Sequence, residues 1–314
     1  MSDTAQSRGQ VADAVKDNWV DAYAPAITRP YLRLSRADRP IGTWLLFLPC
    51  LWGLTLAVAA TGFRAEALWI AAACGLGAFL MRGAGCTWND VTDRGIDGAV
   101  ARTRSRPIPS GAVTVRDALG WMVAQALLAF VLLLTFHKTA IALGILSLAP
   151  VGLYPFAKRF TWWPQVFLGI AFNWGALLAW GAYVGTLSAA PVLLYLGGIA
   201  WTLFYDTIYA YQDVEDDALI GVRSTARRFG DAPLPWMRGF LMATVALLSV
   251  AVLIALPPFP GAVALLGPWL LGWHMVWQLT KLDIGDPASC LRLFRSNRDA
   301  GLIPLPFFAL AALV

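Results

Sequence analysis

The sequence predicts an all-α, polytopic membrane protein. Of its 314 residues, 58% are hydrophobic and only 14% are charged, whereas a soluble protein carries about 25% charged residues. Apolar runs recur along the chain at about 20 residues each, the length that an α-helix needs to cross a bilayer. Runs of this length argue against a soluble helical protein, whose core helices do not need them.

Nine segments qualify as candidate transmembrane helices. The ninth is the weakest, because it is short and contains Pro304 and Pro306; it is either cut short by the end of the chain or tilted at the membrane interface. The segments are 43–61, 65–87, 117–136, 139–155, 164–186, 190–210, 236–256, 260–280 and 301–314.

Almost all basic residues fall in the loops on one side of these segments. Only Arg64 and Lys138 lie on the opposite side, and Arg82 lies inside the second segment. Because positively charged loops stay on the cytoplasmic side, we expect the N-terminus and the long loops in the cytoplasm, with the helices in a bacterial inner membrane. The net positive charge therefore indicates topology in a lipid bilayer and no nucleic-acid partner.

Residues 1–30 are predicted to form a polar segment ahead of a membrane domain that covers residues 31–314. Apolar side chains recur every four residues in this segment, at Val11, Val15, Trp19 and Tyr23. This spacing suits a short helix that lies on the membrane surface. A disordered tail is the alternative for the same composition.

An acidic motif ends the second apolar segment. A helix turns about 100° per residue, so Asn89, Asp93 and Asp97 line one face, with Asp90 beside them. Carboxylates at a helix end in a bilayer need cations to neutralise them. The motif therefore predicts a cation site.

A second acidic motif ends the sixth segment. On a continuous helix Asp206, Asp213 and Asp217 would share one face, with Tyr209 between them. Both motifs end segments that run toward the same side of the membrane, so we expect the two acidic helix ends to face each other. Such an oxygen-rich pair suits a hard divalent ion, which we predict to be Mg²⁺.

A basic loop follows each acidic motif. In the first loop, Pro107, Pro109 and Gly111 interrupt helix formation. Mg²⁺ bridges carboxylates to phosphate oxygens, and Arg or Lys neutralises the remaining charge. Because the apolar helices offer a dry groove for a hydrocarbon tail, the pattern predicts an isoprenoid diphosphate whose allylic C–O bond ionises.

Three stretches carry a family resemblance: NDVTDRGIDGAVARTRSRPIPSGAVT, YPFAKR and YDTIYAYQDVEDDALIGVRST. They are similar to signature segments of the UbiA-type intramembrane aromatic prenyltransferases, and the similarity runs from about Tyr31 to the end of the chain. The resemblance implies nine helices around a central cavity that opens laterally, under a cytoplasmic cap of loops. It further implies Mg²⁺, a polyprenyl diphosphate, and prenylation of 4-hydroxybenzoate meta to its carboxylate, in ubiquinone biosynthesis.

The resemblance also assigns roles to the acidic residues. Asn89, Asp93, Asp213 and Asp217 are implied as ligands of the Mg²⁺–diphosphate. The supporting catalytic acids, which act through water or by fixing basic side chains, are Asp90, Asp97 and Asp206. For Asp90 a solvated charge at the helix end is the alternative.

Basic and aromatic residues receive roles from the same resemblance. Arg39, at the start of the first span, is the candidate for the carboxylate of the aromatic acid, with an interfacial arginine as the alternative. Tyr209 either hydrogen-bonds a substrate or packs at the interface. Tryptophans near the segment ends, such as Trp162 and Trp163, are attributed to an interfacial aromatic belt. The candidates for the diphosphate are Arg102, Arg106, Lys158, Arg159 and Arg223, with a topology-setting loop charge as the alternative for each.

Two other functions remain open at this point. A sister prenyltransferase would use another acceptor, such as homogentisate, a naphthoate or haem. A transporter would use the intramembrane acids as an ion or metabolite pathway. The position of the acids at helix ends argues against transport, because transporters bind their substrates near the bilayer midplane.

Overall fold

The computed structural model describes residues 14–15, 17–99, 103–219 and 221–314. Within these ranges the chain forms helices and no strand. A 3-10 turn, Tyr211–Asp213, follows the ninth α-helix. The α-helices are α1 (Trp19–Ala22), α2 (Arg29–Leu34), α3 (Ile41–Thr61), α4 (Glu66–Ala99), α5 (Val115–Leu133), α6 (Lys138–Leu146), α7 (Leu148–Phe160), α8 (Pro164–Val184), α9 (Ala189–Ala210), α10 (Val214–Leu219), α11 (Thr225–Phe229), α12 (Leu234–Ala255), α13 (Pro258–Lys281), α14 (Pro287–Leu302) and α15 (Pro304–Ala311).

Eight helical segments of the described chain are long and apolar enough to cross a membrane. They coincide with the first eight predicted spans, and the fourth consists of α6 and α7, which meet at Ser147. The second span, α4, continues beyond its predicted end to Ala99 and so carries the first acidic motif on a helix. These segments confirm the predicted all-α, polytopic membrane fold. The lateral cavity and the cap of loops stay predictions.

The last part of the chain differs from the prediction. The basic stretch before residue 301, predicted as a loop, forms α14, whose first turn is capped by Asp286 Oδ1 through the backbone N–H of Ala288 at 2.9 Å. Leu293, Phe294 and Asn297 lie on its buried face. The charged residues suggested a loop. They lie instead on the exposed face of an amphipathic helix, which charge content alone does not distinguish from a loop.

Proline separates α14 from the last helix, α15. Only eight residues long, α15 packs against α13. At Gly267 of α13 an added Cβ would lie 2.9 Å from Pro304 Cα, so the two helices are in close contact. A helix of this length does not cross a bilayer by itself, and the count of nine spans therefore stays a prediction.

The chain divides into two compact units. The helices α3 and α4 each contribute residues to both of them. The predicted boundary at residue 30 lies inside one of these units and stays a prediction. The smaller unit comprises Met1–Thr43 and Leu76–Leu132, and the larger unit comprises Trp44–Gly75 and Leu133–Val314.

The described part of the N-terminal segment is packed into the smaller unit. Val20 and Ala24 form a buried cluster with Ala37, and Leu32 and Phe79 of α4 pack against it. A second cluster lies closer to the acidic end of α4, and it consists of Leu34, Val91, Ile108, Val113 and Ala118. Through these clusters, the residues that precede the first span are held against the helix that carries the first acidic motif.

Small residues allow the helices of the larger unit to approach each other closely. An added Cβ at Gly53 of α3 would lie 2.3 Å from the backbone carbonyl oxygen of Ala176 in α8. At Gly198 of α9, it would lie 2.2 Å from the side-chain oxygen of Asn173. Membrane helices associate through close contacts of this kind, because lipid provides no hydrophobic force that would drive them together.

The Gly53 contact gives a testable prediction for stability. Gly53→Ala is expected to lower the free energy of unfolding by about 1–3 kcal/mol, because the methyl group would meet backbone that cannot rotate away. Gly77→Ala is the matched control, since nothing lies within 4 Å of the Cβ position there. Thermal unfolding of both variants in the same detergent measures the difference, and equal midpoints would contradict the packing argument.

Candidate functional site

The first acidic motif occupies the last turns of α4, in the smaller unit. Asp90 and Asp93 are fully buried, and Asp97 is 5% exposed. Their spacing of three and four residues places them on one helix face. Asn89 is half-buried beside them. The predicted helical arrangement of the motif is therefore confirmed.

Two arginines form ion pairs with Asp90 and Asp97 on this buried face. Arg106 Nη1 lies 2.7 Å from Asp97 Oδ2 and 3.2 Å from Asp90 Oδ1. Arg36 Nη2 lies 2.5 Å from the same Asp90 oxygen. Asp90 therefore pairs with two guanidinium groups. This pairing offsets the cost of burying its charge. This burial does not fit a solvated charge at a helix end.

Nothing in the sequence singles out Arg36. It follows α2 in a stretch that also contains Arg33 and Arg39, and its partner Asp90 lies 54 residues further along the chain. The φ angle of Arg36 is +57°, in the left-handed region that residues other than glycine seldom adopt. This backbone conformation is strained, and the ion pair between Arg36 and Asp90 offsets the strain.

Burial raises the pKa of Asp97 above its ordinary value. The guanidinium of Arg106 opposes this increase, whereas the carboxylates of Asp90 and Asp93 add to it. The backbone carbonyl of Asp97 accepts a hydrogen bond of 2.9 Å from Thr103 Oγ1. This bond fixes the described start of the basic loop to the helix end. Arg102, another predicted diphosphate contact, lies outside the described residues.

Arg39 lies in the interior of the smaller unit. Its side chain is 8% exposed, and Nη1 lies 3.7 Å from Asp38 Oδ2. The backbone carbonyl of Asp38 accepts a hydrogen bond from the N–H of Val15, and that of Ala37 accepts one from Trp19 Nε1. An arginine this deeply buried does not match the alternative of an interfacial residue that extends into the headgroups.

The second acidic motif, in the larger unit, is not one continuous helix. After α9 the 3-10 turn Tyr211–Asp213 leads into α10. A 3-10 turn rotates by about 120° per residue instead of 100°, so the predicted continuous α-helix is wrong, whereas the shared face of Asp206, Asp213 and Asp217 stays a prediction. The Tyr211 hydroxyl donates to the carbonyl of Gly230 at 2.7 Å, so this turn is bonded to the end of α11.

The three acids of this motif and Tyr209 are half-buried. The Tyr209 ring packs on Phe294 of α14, with ring centroids 4.5 Å apart, and Phe294 also lies 5.9 Å from the ring of Tyr205. The helix that was predicted as a loop therefore supports the acidic turn. The contact fixes the ring of Tyr209 at the acidic end of α9.

Basic residues of the larger unit gather where α7 ends. Lys158 is half-buried, and Arg159 is exposed with its guanidinium 5.2 Å from the ring centroid of Phe156. Arg223 Nη1 donates to the carbonyl of Phe160 at 2.8 Å, and its guanidinium lies 5.6 Å from the ring centroid of Trp162. The Arg223 side chain is thus engaged by the turn between α7 and α8.

The donor atoms of both motifs suit Mg²⁺. Carboxylate and amide oxygens are the ligands that this ion prefers, and at phosphate sites it takes one or two carboxylates together with phosphate oxygens and water. The second oxygen of Asp90 is buried and has no hydrogen-bond partner among the described residues. Within the same residues, no three His, Cys, Asp or Glu side chains are close enough to hold a metal ion by themselves.

Solved structures of similar fold come from archaea. An apo UbiA homolog from Aeropyrum pernix K1 aligns with a TM-score of 0.66 at 23% identity, covering 86% of this chain and 96% of that protein. A UbiA homolog from Archaeoglobus fulgidus bound to GPP and Mg²⁺ aligns with a TM-score of 0.67 at 18% identity, covering 91% of this chain and all of that protein. The same homolog has been solved with Cd²⁺. These proteins share the fold, and divalent metals occupy the second of them.

Sequence relatives are much closer. The human protein named "4-hydroxybenzoate polyprenyltransferase, mitochondrial" is 45% identical over 281 residues, or 89% of this chain. Relatives of the same name from Arabidopsis thaliana and Aedes aegypti are 44% and 45% identical over 91% and 88% of this chain. The match spans 74% of the human protein, 69% of the plant protein and 62% of the mosquito protein.

These names contradict one expectation from the sequence. A bacterial inner membrane was predicted from the distribution of basic residues, but the relatives are eukaryotic and are named as mitochondrial. The prediction of a bacterial inner membrane is therefore wrong by this comparison. The distribution of basic residues does not identify the membrane, because it indicates only which loops lie on the same side of it.

The family model described as "UbiA prenyltransferase family" matches residues 46–300. The matched range includes both acidic motifs and the basic residues at the end of α7. With the shared fold and the identity to its relatives, this match establishes the family suggested by the signature stretches. The chain belongs to the UbiA prenyltransferase family.

Proposed function

We propose that this protein transfers the prenyl group of a polyprenyl diphosphate to 4-hydroxybenzoate, a step of ubiquinone biosynthesis. The observation that carries the proposal is the 44–46% identity, over about nine-tenths of the chain, to relatives named for this activity. The buried carboxylate and arginine groups of the first motif support it, since they suit a metal-bound diphosphate.

In this proposal each acidic motif supplies ligands for the metal. Asn89 and Asp93 of the first motif, and Asp213 and Asp217 of the second, are the residues that would hold Mg²⁺. When bound, Mg²⁺ neutralises the charge that develops on the leaving diphosphate. Oxygen ligands on helix ends suit this role, because a fixed and largely dry carboxylate need not reorganise during the reaction.

The remaining charged residues orient the substrates. Asp90 and Asp97 hold the guanidinium of Arg106, and Asp206 has the corresponding supporting role in the second motif. Arg39 is the candidate partner of the substrate carboxylate. Tyr209 is the candidate hydrogen-bond donor near the reacting groups. The candidates that neutralise the diphosphate oxygens are Arg102, Arg106, Lys158, Arg159 and Arg223.

The reaction breaks an allylic C–O bond and a ring C–H bond, and it forms one C–C bond. The allylic C–O bond breaks heterolytically, and the diphosphate keeps the electron pair. The ring carbon ortho to the hydroxyl, which is meta to the carboxylate, forms the new C–C bond and then loses its proton to water or to the released diphosphate. The phenol oxygen donates electron density to that carbon, so the reaction needs no covalent enzyme intermediate.

The test uses the purified protein in lipid nanodiscs with 4-hydroxybenzoate, geranyl diphosphate and MgCl₂. Mass spectrometry is expected to detect a product heavier than 4-hydroxybenzoate by one prenyl group, with NMR placing the substituent meta to the carboxylate. EDTA is expected to abolish formation of this product, and added Mg²⁺ to restore it. Product formation at the full rate in EDTA would contradict the metal role.

The same assay separates the alternatives. Homogentisate and a naphthoate are supplied in competition with 4-hydroxybenzoate at equal concentration, and 4-hydroxybenzoate is expected to account for most of the prenylated product. A dominant homogentisate or naphthoate product would assign the protein to a sister reaction. Flux of substrate into sealed proteoliposomes without any prenylated product would instead favour a transporter.

A further inference from the structure

Trp162 lies at the turn between α7 and α8. Two arginines of the segment between α10 and α12, which we call the second basic loop and which includes α11, contact it. The guanidinium carbon of Arg223 is 5.6 Å from the ring centroid, and that of Arg227 is 5.4 Å away. Both distances lie within the range of cation–π attraction, which is strongest for tryptophan. The indole ring is half-buried, so it offers a partly desolvated face for these cations.

The same loop is bonded to α7, the helix that carries the candidate diphosphate ligand Lys158. The N–H of Arg223 donates to the carbonyl of Lys158 at 3.2 Å, and the Arg223 side chain donates to the carbonyl of Phe160 at 2.8 Å. These two bonds fix the loop to the last turn of α7. Lys158, which belongs to that turn, is thereby held at a defined place relative to the loop.

The second basic loop is also bonded to α10, the helix that carries the candidate metal ligand Asp217. The carbonyl of Asp217 accepts hydrogen bonds from the N–H of Val222 at 3.0 Å and from Arg227 Nη1 at 3.3 Å. Arg227 Nη1 also donates to the carbonyl of Val222. The two arginines that share the Trp162 ring are thus the ones whose bonds reach Lys158 on one side and Asp217 on the other.

Further hydrogen bonds hold this loop against α8 and α9. The N–H of Thr225 donates to Gln165 Oε1 at 3.2 Å, and its hydroxyl lies 2.7 Å from that of Thr207. Ser224 Oγ accepts from the N–H of Arg227 at 3.3 Å and caps α11. The Trp162 contacts add a restraint on the two arginine side chains to these backbone and side-chain bonds.

From these contacts, we infer that Trp162 is a positioning residue for the diphosphate: by holding Arg223 and Arg227, it fixes Lys158 relative to Asp217. The inference rests on the proposed function, because only that function gives Lys158 and Asp217 a common ligand. An interfacial tryptophan would contact lipid headgroups and would need neither arginine.

The experiment measures steady-state kinetics with geranyl diphosphate and 4-hydroxybenzoate in nanodiscs. Trp162→Leu is expected to raise KM for geranyl diphosphate about tenfold, the effect of losing two cation–π contacts, while KM for 4-hydroxybenzoate stays within about twofold. Trp162→Phe keeps an aromatic face and is expected to recover most of the loss. Trp269→Leu, at an exposed tryptophan of α13 in the same unit, is the matched control and is expected to behave like the wild type.

A second readout follows the loop without using activity. Hydrogen exchange of peptides that cover residues 221–229 is expected to be faster in Trp162→Leu than in Trp162→Phe or Trp269→Leu, because the bond from the Arg223 N–H to Lys158 opens more often. Arg227→Lys keeps the charge but loses the planar group, and is expected to raise KM for geranyl diphosphate as well. A rise in exchange that accompanies the KM effect supports the inference.

Two outcomes would overturn the role of Trp162. An unchanged KM for geranyl diphosphate in Trp162→Leu would show that the ring positions nothing that matters for the substrate. An equal loss in Trp269→Leu would show a general effect of removing a tryptophan from this protein. A wild type that forms no prenylated 4-hydroxybenzoate would overturn the proposed function instead, so the two failures are distinguishable.

Discussion

Asp93→Asn is expected to lower kcat by about 100-fold or more, the cost of removing a metal ligand that stabilises a leaving diphosphate. Asp93 is fully buried at the end of α4. An amide has the shape of the carboxylate but not its charge, so the expected change is in catalysis. The Mg²⁺ concentration for half-maximal rate is expected to rise together with the loss of kcat.

Asp117→Asn is the matched control for this substitution. Asp117 belongs to the same unit but lies in the exposed first turn of α5, where Oδ2 accepts a hydrogen bond of 2.7 Å from Thr114 Oγ1. An asparagine oxygen can keep that bond, so the control is expected to retain the wild-type rate. If Asp93→Asn kept more than a tenth of kcat with an unchanged Mg²⁺ requirement, Asp93 would not be a ligand of the metal.

The second large effect concerns stability. Asp90→Ala is expected to lower the free energy of unfolding by about 3–5 kcal/mol, because it leaves a buried guanidinium without its carboxylate. Arg36→Ala is expected to cost less, since Asp90 would still pair with Arg106 at 3.2 Å. Chemical denaturation in detergent micelles, followed by circular dichroism, measures both values.

Two further variants isolate the cause. Arg36→Gly removes the same ion pair as Arg36→Ala but tolerates the positive φ angle of +57°, so it is expected to be the more stable of the two. The double variant Asp90→Ala/Arg36→Ala is expected to be less destabilised than the sum of its single changes, because the pair is coupled. Additive losses would show that the bond of 2.5 Å between these residues contributes nothing specific.

The helices were predictable because their signal is local. Runs of apolar residues between basic loops identify the membrane segments without knowledge of what they contact, and eight of the predicted spans are present. By contrast, α14 was predicted as a loop because of its charged residues. These residues lie on its exposed face, and Phe294 lies on its buried face. That assignment depends on packing partners, which a charge count cannot supply.

The residues around the acidic motifs were only partly predictable. Asp90, Asp97 and Arg106 were singled out by the resemblance of the first acidic motif and its loop to the family's signature segments, and the structure joins them by direct ion pairs. Arg36 was missed because its partner lies 54 residues away. Trp162 was assigned to the membrane interface, since nothing in its neighbourhood along the chain indicates contact with Arg223.

The sequence by itself determined the membrane-embedded, all-α character of the protein, its family, and the kind of atoms that its acidic motifs offer to a cation. These properties follow from composition and from spacing along single helices. Only the tertiary structure decided that Asp90 holds Arg36 and Arg106, that a 3-10 turn interrupts the second motif, and that an indole ring holds the second basic loop. Such contacts depend on which buried charges and rings become neighbours once the helices pack, because the low dielectric of the interior makes each unpaired group costly.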